Sequence, residues 1–369
     1  MHDPALPLAE ASTIPSAWYT SEDHAAKERQ TLFGNTWLCV GRIDQVELPG
    51  AFFTIEVANE PLLVIRGEDK KLRAFFNVCR HRAARVATAE CGITDRLRCP
   101  YHGWTYDLAG KLRGVPEFDG VAHFQREHNG LPEIRCETWG PLVFVHFGSP
   151  TIPLSEFLAP LPAMLEPYGV NHLGCVGRKE YILNCNWKVF VDNYLDGGYH
   201  VNAIHPSLAG VLDYKNYRTE CFKYTSLQSS PMKQPDANDD QSAASVRGGK
   251  AAAYWWVYPN LMINAYEGIM DTNLVLPLGP DRCRVLFDFY FNKEATTPEA
   301  REQQARSMEV ADQIQAEDVG ICEDVQRGLR SRSFDVGRYS VRREEGVYHF
   351  HRLLAGSPSG SHLPWRERG

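Results

Sequence analysis

The chain has 369 residues, with 43% hydrophobic and 23% charged side chains, a globular balance with material for about two domains. Lys and Arg number 39 against 46 Asp and Glu, a net charge of -7 without a basic patch, which argues against nucleic acid as a partner. No apolar run approaches the roughly 20 residues that span a bilayer, so no membrane partner is expected.

In chain order, the first residues contain neither Lys nor Arg before Lys27. The basic-then-apolar pattern of a secretory leader and the Arg-rich texture of a transit peptide are both missing there. With ten scattered cysteines and no obvious disulfide ladder, the expectation is a cytoplasmic protein. Ser21 caps a short predicted helix in 21–37, acidic in its first turn. Residues 1–35 are expected to form an N-terminal helical segment packed on the second domain. From 36 to 150, short aromatic and β-branched runs such as AFFTIEV, EPLLVIRG and GPLVFVHFG, separated by Gly, Pro and Asp, predict an all-β domain. The Pro-rich stretch 149–162 marks a boundary, and 151–369 is expected as a second domain of mixed helix and strand. There, 186–205 reads as helical at its start and 253–292 as long antiparallel strands. Thr297-Pro298-Glu299 starts a long helix with Met308, Ala311, Ile314, Ile321, Val325 and Leu329 at helical spacing. The stretch 231–250 is polar and aperiodic, a loop or lid.

Within the first domain, NVCRHRAARV and LRCPYHGWTYDLAG offer Cys79, His81, Cys99 and His102. Two Cys and two His suit tetrahedral zinc. A zinc finger, however, usually pairs its cysteines first and its histidines later, whereas here each loop supplies one of each. That arrangement suits an iron–sulfur cluster with one thiolate-held and one imidazole-held iron, whose potential the imidazoles raise. The two loops, their spacing and the Gly-Trp after His102 resemble the Rieske domain of ring-hydroxylating-type oxygenases.

A second His pair, His200 and His205, lies in DNYLDGGYHVNAIH beside Asn193 and Asp196. Two imidazoles and one carboxylate leave open positions on iron(II) for oxygen and substrate. The carboxylate is sought in AEDVGICEDVQRGL, which offers Glu317, Asp318, Glu323 and Asp324. Asp318 lies beside Val319, Ile321 and Cys322, so it can face inward.

The resemblance extends over nearly the whole chain. CNWKVFVDNYLDGGYHV, YPNLMIN, MDTNLVLPLGP and EDVGICEDVQRGL are similar to the choline monooxygenase branch of the Rieske non-heme iron oxygenases, α-subunit type. It implies an α+β fold class: an all-β Rieske iron–sulfur domain (36–150), and a mononuclear-iron catalytic domain (151–369) with an antiparallel sheet flanked by helices, helix-grip and START-like. It implies a Rieske [2Fe–2S] cluster on Cys79, His81, Cys99 and His102, and Fe(II) on His200, His205 and Asp318, with O2 as co-substrate. Asn193 and Asp196 are implied as catalytic residues. Asp196 is the candidate carboxylate linking a cluster His to His200 across subunits of a homotrimer. Many members of the family place that acid three residues before the first His, where this chain has Gly197. No Gly-rich dinucleotide fingerprint follows a strand, so a separate ferredoxin or flavin reductase is expected as electron donor.

For substrate, aromatic faces attract a quaternary ammonium, and AYWWVYPNLMINAYEG supplies several. The candidates are Trp256, Tyr258 and Tyr266 of this stretch, with Tyr199 from outside it; strand alternation puts Tyr254, Trp256 and Tyr258 on one face. With the resemblance, the expected reaction is monooxygenation of a quaternary ammonium compound, choline to betaine aldehyde hydrate. No basic residue sits in the aromatic stretch to meet a substrate carboxylate. The alternatives are N-demethylation of glycine betaine, carnitine or a related betaine, and hydroxylation of an aromatic ring. A pure electron-transfer protein and a zinc-stabilised binding module are the readings outside this enzyme class. His349 and His351 are expected to be structural.

Overall fold

The computed structural model describes residues 3–205, 212–232 and 251–356. Of the expected loop 231–250, residues 233–250 lie outside the described residues. The chain divides into two units, one of residues 33–151 and one joining 1–32 to 152–369.

The 33–151 unit is built from short strands: β1 Leu38–Arg42, β2 Ala51–Val57, β3 Glu60–Arg66, β4 Leu72–Phe76, β5 Cys91–Ile93, β6 Leu97–Arg98, β7 Thr105–Tyr106, β8 Leu112–Gly114, β9 Glu133–Trp139 and β10 Leu142–His146. Seven form a sheet in the order β1-β10-β9-β4-β3-β2-β5, and β6-β7-β8 form a small second one. Its core gathers Leu63, Ile65, Phe75, Trp104, Tyr106 and Leu112 around the two ligand-bearing loops. The first loop follows β4 and is pinned by buried Asn77. Its Oδ1 accepts the amides of Val86 and Ala87, and its Nδ2 donates to the Ala87 carbonyl. The second loop joins β6 to β7.

The other unit has helices α1 Ala17–Thr20, α2 Glu22–Thr31, α3 Leu154–Phe157, α4 Leu161–Leu165, α5 Trp187–Leu195, α6 Val201–Ile204, α7 Pro298–Leu329 and α8 Glu345–Gly356. Its strands are β11 Leu173–Leu183, β12 Arg218–Cys221, β13 Thr225–Pro231, β14 Ala251–Val257, β15 Leu261–Tyr266, β16 Ile269–Gly279 and β17 Arg282–Asn292. They pair antiparallel in the order β11-β17-β16-β15-β14-β13-β12. Asn186 caps α5 by accepting the Lys188 amide, and Thr297 caps α7 ahead of Pro298. Helix α5 packs on β16 and β17 and touches α7 and α8.

Two features fix the site-bearing helices. Lys188 of α5, fully buried, donates to both oxygens of Glu28 of α2 at 2.7 and 2.9 Å, and Trp187 Nε1 donates to the same carboxylate. Burial raises the Glu28 carboxyl, but Lys188 and His24 outweigh it and hold it below the ordinary carboxylate range. Helix α7, about 48 Å long at 1.5 Å per residue, buries Ser307, Ala311, Gln315, Cys322, Gln326 and Leu329. This stripe is rotated by a residue from the expected one, since Ile321 and Val325 are exposed. Ala311, Gln315 and Cys322 stand seven, three and four residues from Asp318, so the stripe that packs is the one that turns Asp318 inward. Among the described residues no helix is long and apolar enough to cross a membrane.

Candidate metal centres and substrate pocket

In the 33–151 unit, Cys79 and Cys99 are buried, while the histidines lie nearer the surface. The His81 and His102 Nδ1 atoms are 3.1 Å apart. His81 stacks flat on buried Trp104, which fixes its ring plane. Polar hydrogens surround the sulfurs: the Tyr106 hydroxyl lies 3.4 Å from Cys79 Sγ, and the Tyr101 and His102 amides point to Cys99. Burial raises the Cys99 thiol, and adjacent Cys79 adds to this, so bare thiolates are unfavourable here without a cation. Two converging sulfurs, two converging ring nitrogens and donors aimed at the sulfurs fit a Rieske cluster.

In the other unit, one ligand atom each from His200, His205 and Asp318 lie within 4.8 Å of one another. Asp318 Oδ1 is 3.0 Å from His205 Nε2 and 3.9 Å from His200 Nε2. The two Nδ1 atoms face carboxylates instead, His200 on Asp196 and His205 on Glu317, each at 2.6 Å. Each pairing places a proton on Nδ1 and leaves Nε2 for a metal. Burial pulls the His205 pKa down, but Asp318 and Glu317 outweigh it and raise it. Asn193 Nδ2 donates to Asp318 Oδ1 at 2.7 Å, orienting that carboxylate. This trio fits mononuclear iron(II).

The acid before His200 has a steric explanation. Gly197 has φ +69°, and a Cβ there would lie 2.1 Å from the Arg343 carbonyl oxygen. A side chain is excluded at that slot. Asp196 instead accepts the Tyr199 and His200 amides as well as His200 Nδ1–H. The other helix acids stand apart: Glu323 holds Asn184, and Asp324 pairs with Arg327.

Beside the trio is a cavity of about 110 Å³. Tyr194, Tyr217, Tyr254 and Tyr266 line it with Phe287 and Asp271. Of the four substrate candidates only Tyr266 lines it. Trp256 shares a strand face with Tyr254 but sits two residues, about 7 Å, further along, where α8 covers it with Phe350 and His349. Tyr258 packs on Trp256 and Tyr224, and Tyr199 is exposed. Sequence reading also passed over Tyr194 and Tyr217 as pocket walls, and Glu317 as a partner of His205. The signal for Tyr194 was its place beside Asn193 in α5.

His351 is buried between Asp192 and the Tyr339 hydroxyl, at 3.0 and 2.7 Å. His349 packs under Trp256, so neither joins the trio.

Known proteins match both units. Residues 36–125 match the Rieske [2Fe-2S] domain and residues 170–356 the ring hydroxylating alpha subunit catalytic domain. A choline monooxygenase of Arabidopsis thaliana is 40% identical, over 95% of this chain and 84% of that one. The carnitine monooxygenase oxygenase subunit of Escherichia coli is 30% identical over 94% of both. A solved quaternary ammonium Rieske monooxygenase superposes with a TM-score of 0.85 at 26% identity, over 96% of this chain and 99% of that one. The chain therefore belongs to the Rieske non-heme iron oxygenases of ring-hydroxylating α-subunit type, as a monooxygenase that carries a [2Fe–2S] cluster and a mononuclear iron and uses O2.

Proposed function

We propose that the chain hydroxylates the alcohol carbon of choline, giving betaine aldehyde hydrate. The observation that carries this reading is the cavity beside His200, His205 and Asp318 with four tyrosines in its wall. A trimethylammonium group cannot donate hydrogen bonds, and aromatic faces are the surfaces that hold it. The names of the relatives from Arabidopsis and Escherichia, choline and carnitine monooxygenase, support the substrate class. The second of those names favours the alternative, oxidation of a carnitine-like betaine.

When bound, the cluster supplies single electrons and the iron(II) activates O2. The chain's residues take the following roles. Cys79, His81, Cys99 and His102 hold the cluster; His200, His205 and Asp318 hold the iron. Asp196 and Glu317 keep the ligand imidazoles in one tautomer, and Asn193 fixes the Asp318 carboxylate. The tyrosine walls orient the substrate and exclude water. Asp196 is also our candidate for the carboxylate linking His200 to a cluster histidine of a neighbouring subunit in a head-to-tail homotrimer. Inter-subunit electron transfer is described for the solved quaternary ammonium monooxygenase, which supports this role. A separate ferredoxin or flavin reductase feeds the cluster, and we place the reaction in the cytoplasm.

The test is turnover by cluster- and iron-loaded protein with a reductase, NADH and O2. Choline, glycine betaine, carnitine and benzoate-type acids are offered, and betaine aldehyde and formaldehyde are both assayed. Betaine aldehyde from choline is expected. Formaldehyde from a betaine alone would move the substrate to the alternative, and turnover of the aromatic acids alone would overturn the ammonium reading.

A further inference from the structure

Two carboxamides stand in the cavity wall, Gln315 of α7 and Asn273 of β16. Both are buried, at 2% and 3% exposure. Among the described residues, neither Gln315 Nε2 nor Asn273 Nδ2 has a hydrogen-bond partner. The neighbours of Asn273 set which way its amide faces. Tyr194 Oη donates to Asn264 Oδ1 at 2.8 Å, and Asn264 Nδ2 donates to Asp271 Oδ1 at 2.6 Å and to Asn273 Oδ1 at 3.3 Å. A carboxylate only accepts, so Asn264 turns its nitrogen to this side. The Asn273 oxygen is thereby taken and its NH2 group is left over. Register sets Asn273 opposite Phe287 of β17, which also lines the cavity. Gln315 precedes Asp318 by three residues, nearly one turn of α7, on the same face of the helix.

A buried donor left unmade costs free energy, so two of them in one cavity wall call for an acceptor from outside the chain. The tyrosine faces account for the methyl groups of a trimethylammonium. They leave the other end of the substrate, the one that carries oxygen, without a reader. Gln315 and Asp318 are about 4.5 Å apart along the axis of α7. An oxygen held at Gln315 therefore brings the carbon that bears it next to the trio. We propose that Gln315 and Asn273 are specificity-determining residues of this pocket: their NH2 groups donate to the hydroxyl oxygen of the substrate, and so set its alcohol carbon, rather than an N-methyl group, beside His200, His205 and Asp318. The inference rests on the choline reading above and deepens it.

The experiment is calorimetric titration of the loaded, oxidised holoenzyme, which needs no turnover. The probes are choline and propyltrimethylammonium, which carries a methyl group in place of the hydroxyl. Wild type is expected to bind choline more tightly by about tenfold or more, because the analogue leaves both donors unpaired. Gln315→Met keeps the side chain's length and removes its amide; Asn273→Leu does the same on β16, where Asn264 retains its shorter bond to Asp271. Each variant is expected to shrink the choline preference by about threefold or more, while binding propyltrimethylammonium within about threefold of wild type. Equal binding of the two cations by wild type overturns the inference without any variant and leaves the ammonium reading standing. An unchanged preference in both variants, or equal loss of both cations, which a merely structural role would give, overturns it too. Failure of wild type to bind either cation overturns both readings together.

Discussion

The carboxylates behind the proposed iron ligands make the sharpest single-residue case. Glu317 does not line the cavity beside the trio and lies one position from Asp318, yet its hydrogen bond at 2.6 Å sets which nitrogen of His205 faces the trio. Glu317→Gln keeps the size of the side chain but removes the charge that holds the Nδ1 proton. The expected result is iron affinity lower by about 10- to 100-fold, read by competition with a chelator, while the visible absorption of the cluster stays unchanged. Retained iron affinity would show that His205 is oriented by its burial alone. Asp196 acts in the same way on His200, and the positive φ of Gly197 shows why the acid stands four residues ahead of that histidine.

Among the elements, α2 and α5 are joined by a buried charge pair rather than by apolar packing alone. Glu28→Gln removes the hydrogen-bonded counter-charge of the fully buried Lys188. It should cost about 3–5 kcal/mol, whereas replacing both partners by Leu and Met should cost less, about 1–3 kcal/mol, for the Trp187 hydrogen bond lost with Glu28; thermal unfolding of the three proteins measures this. Had the pair been exposed, the loss would be under about 1 kcal/mol. The cap residues Ser21 and Thr297 were legible in the sequence because capping is local chemistry. The Cys and His pairs proposed as ligands are likewise local, each lying within one loop or turn. The pocket was less so, because its walls come from α5, α7 and strands β13 to β17, and only the register of the sheet brings Tyr254, Asn264 and Asp271 together. Alternation gave Trp256 the same face as Tyr254 but says nothing of how far along the strand α8 begins to cover it. Asp271-Thr272-Asn273 was the missed cue, three polar residues in a strand whose other residues are apolar.

For the molecule as a whole, His349 ties stability to pH. Burial pushes its imidazole down to about 3, and nearby Arg352 adds to the effect. The native state keeps it neutral, while the unfolded chain takes up a proton below about 6.5. Its contribution is therefore full above that value and is lost as pH falls toward 3, by up to about 1.4 kcal/mol per pH unit. Urea midpoints near pH 7 and pH 5 should separate further for wild type than for His349→Gln, by roughly 2 kcal/mol; equal separations would place the acid sensitivity elsewhere.

The unit that holds the trio is drawn from both ends of the chain, with the other unit inserted at 33–151. Ser12 bridges to Arg338, Tyr348 Oη donates to the Leu6 carbonyl, and Tyr19 reaches Asp192 and His351. During synthesis the inserted unit is complete once residue 151 has left the ribosome, whereas Glu28 waits for Lys188 and the first residues wait for the last helix. The segment carrying Cys79, His81, Cys99 and His102 thus leaves the ribosome whole before His200, His205 and Asp318 have all emerged, so the trio can meet only after most of the chain has been made.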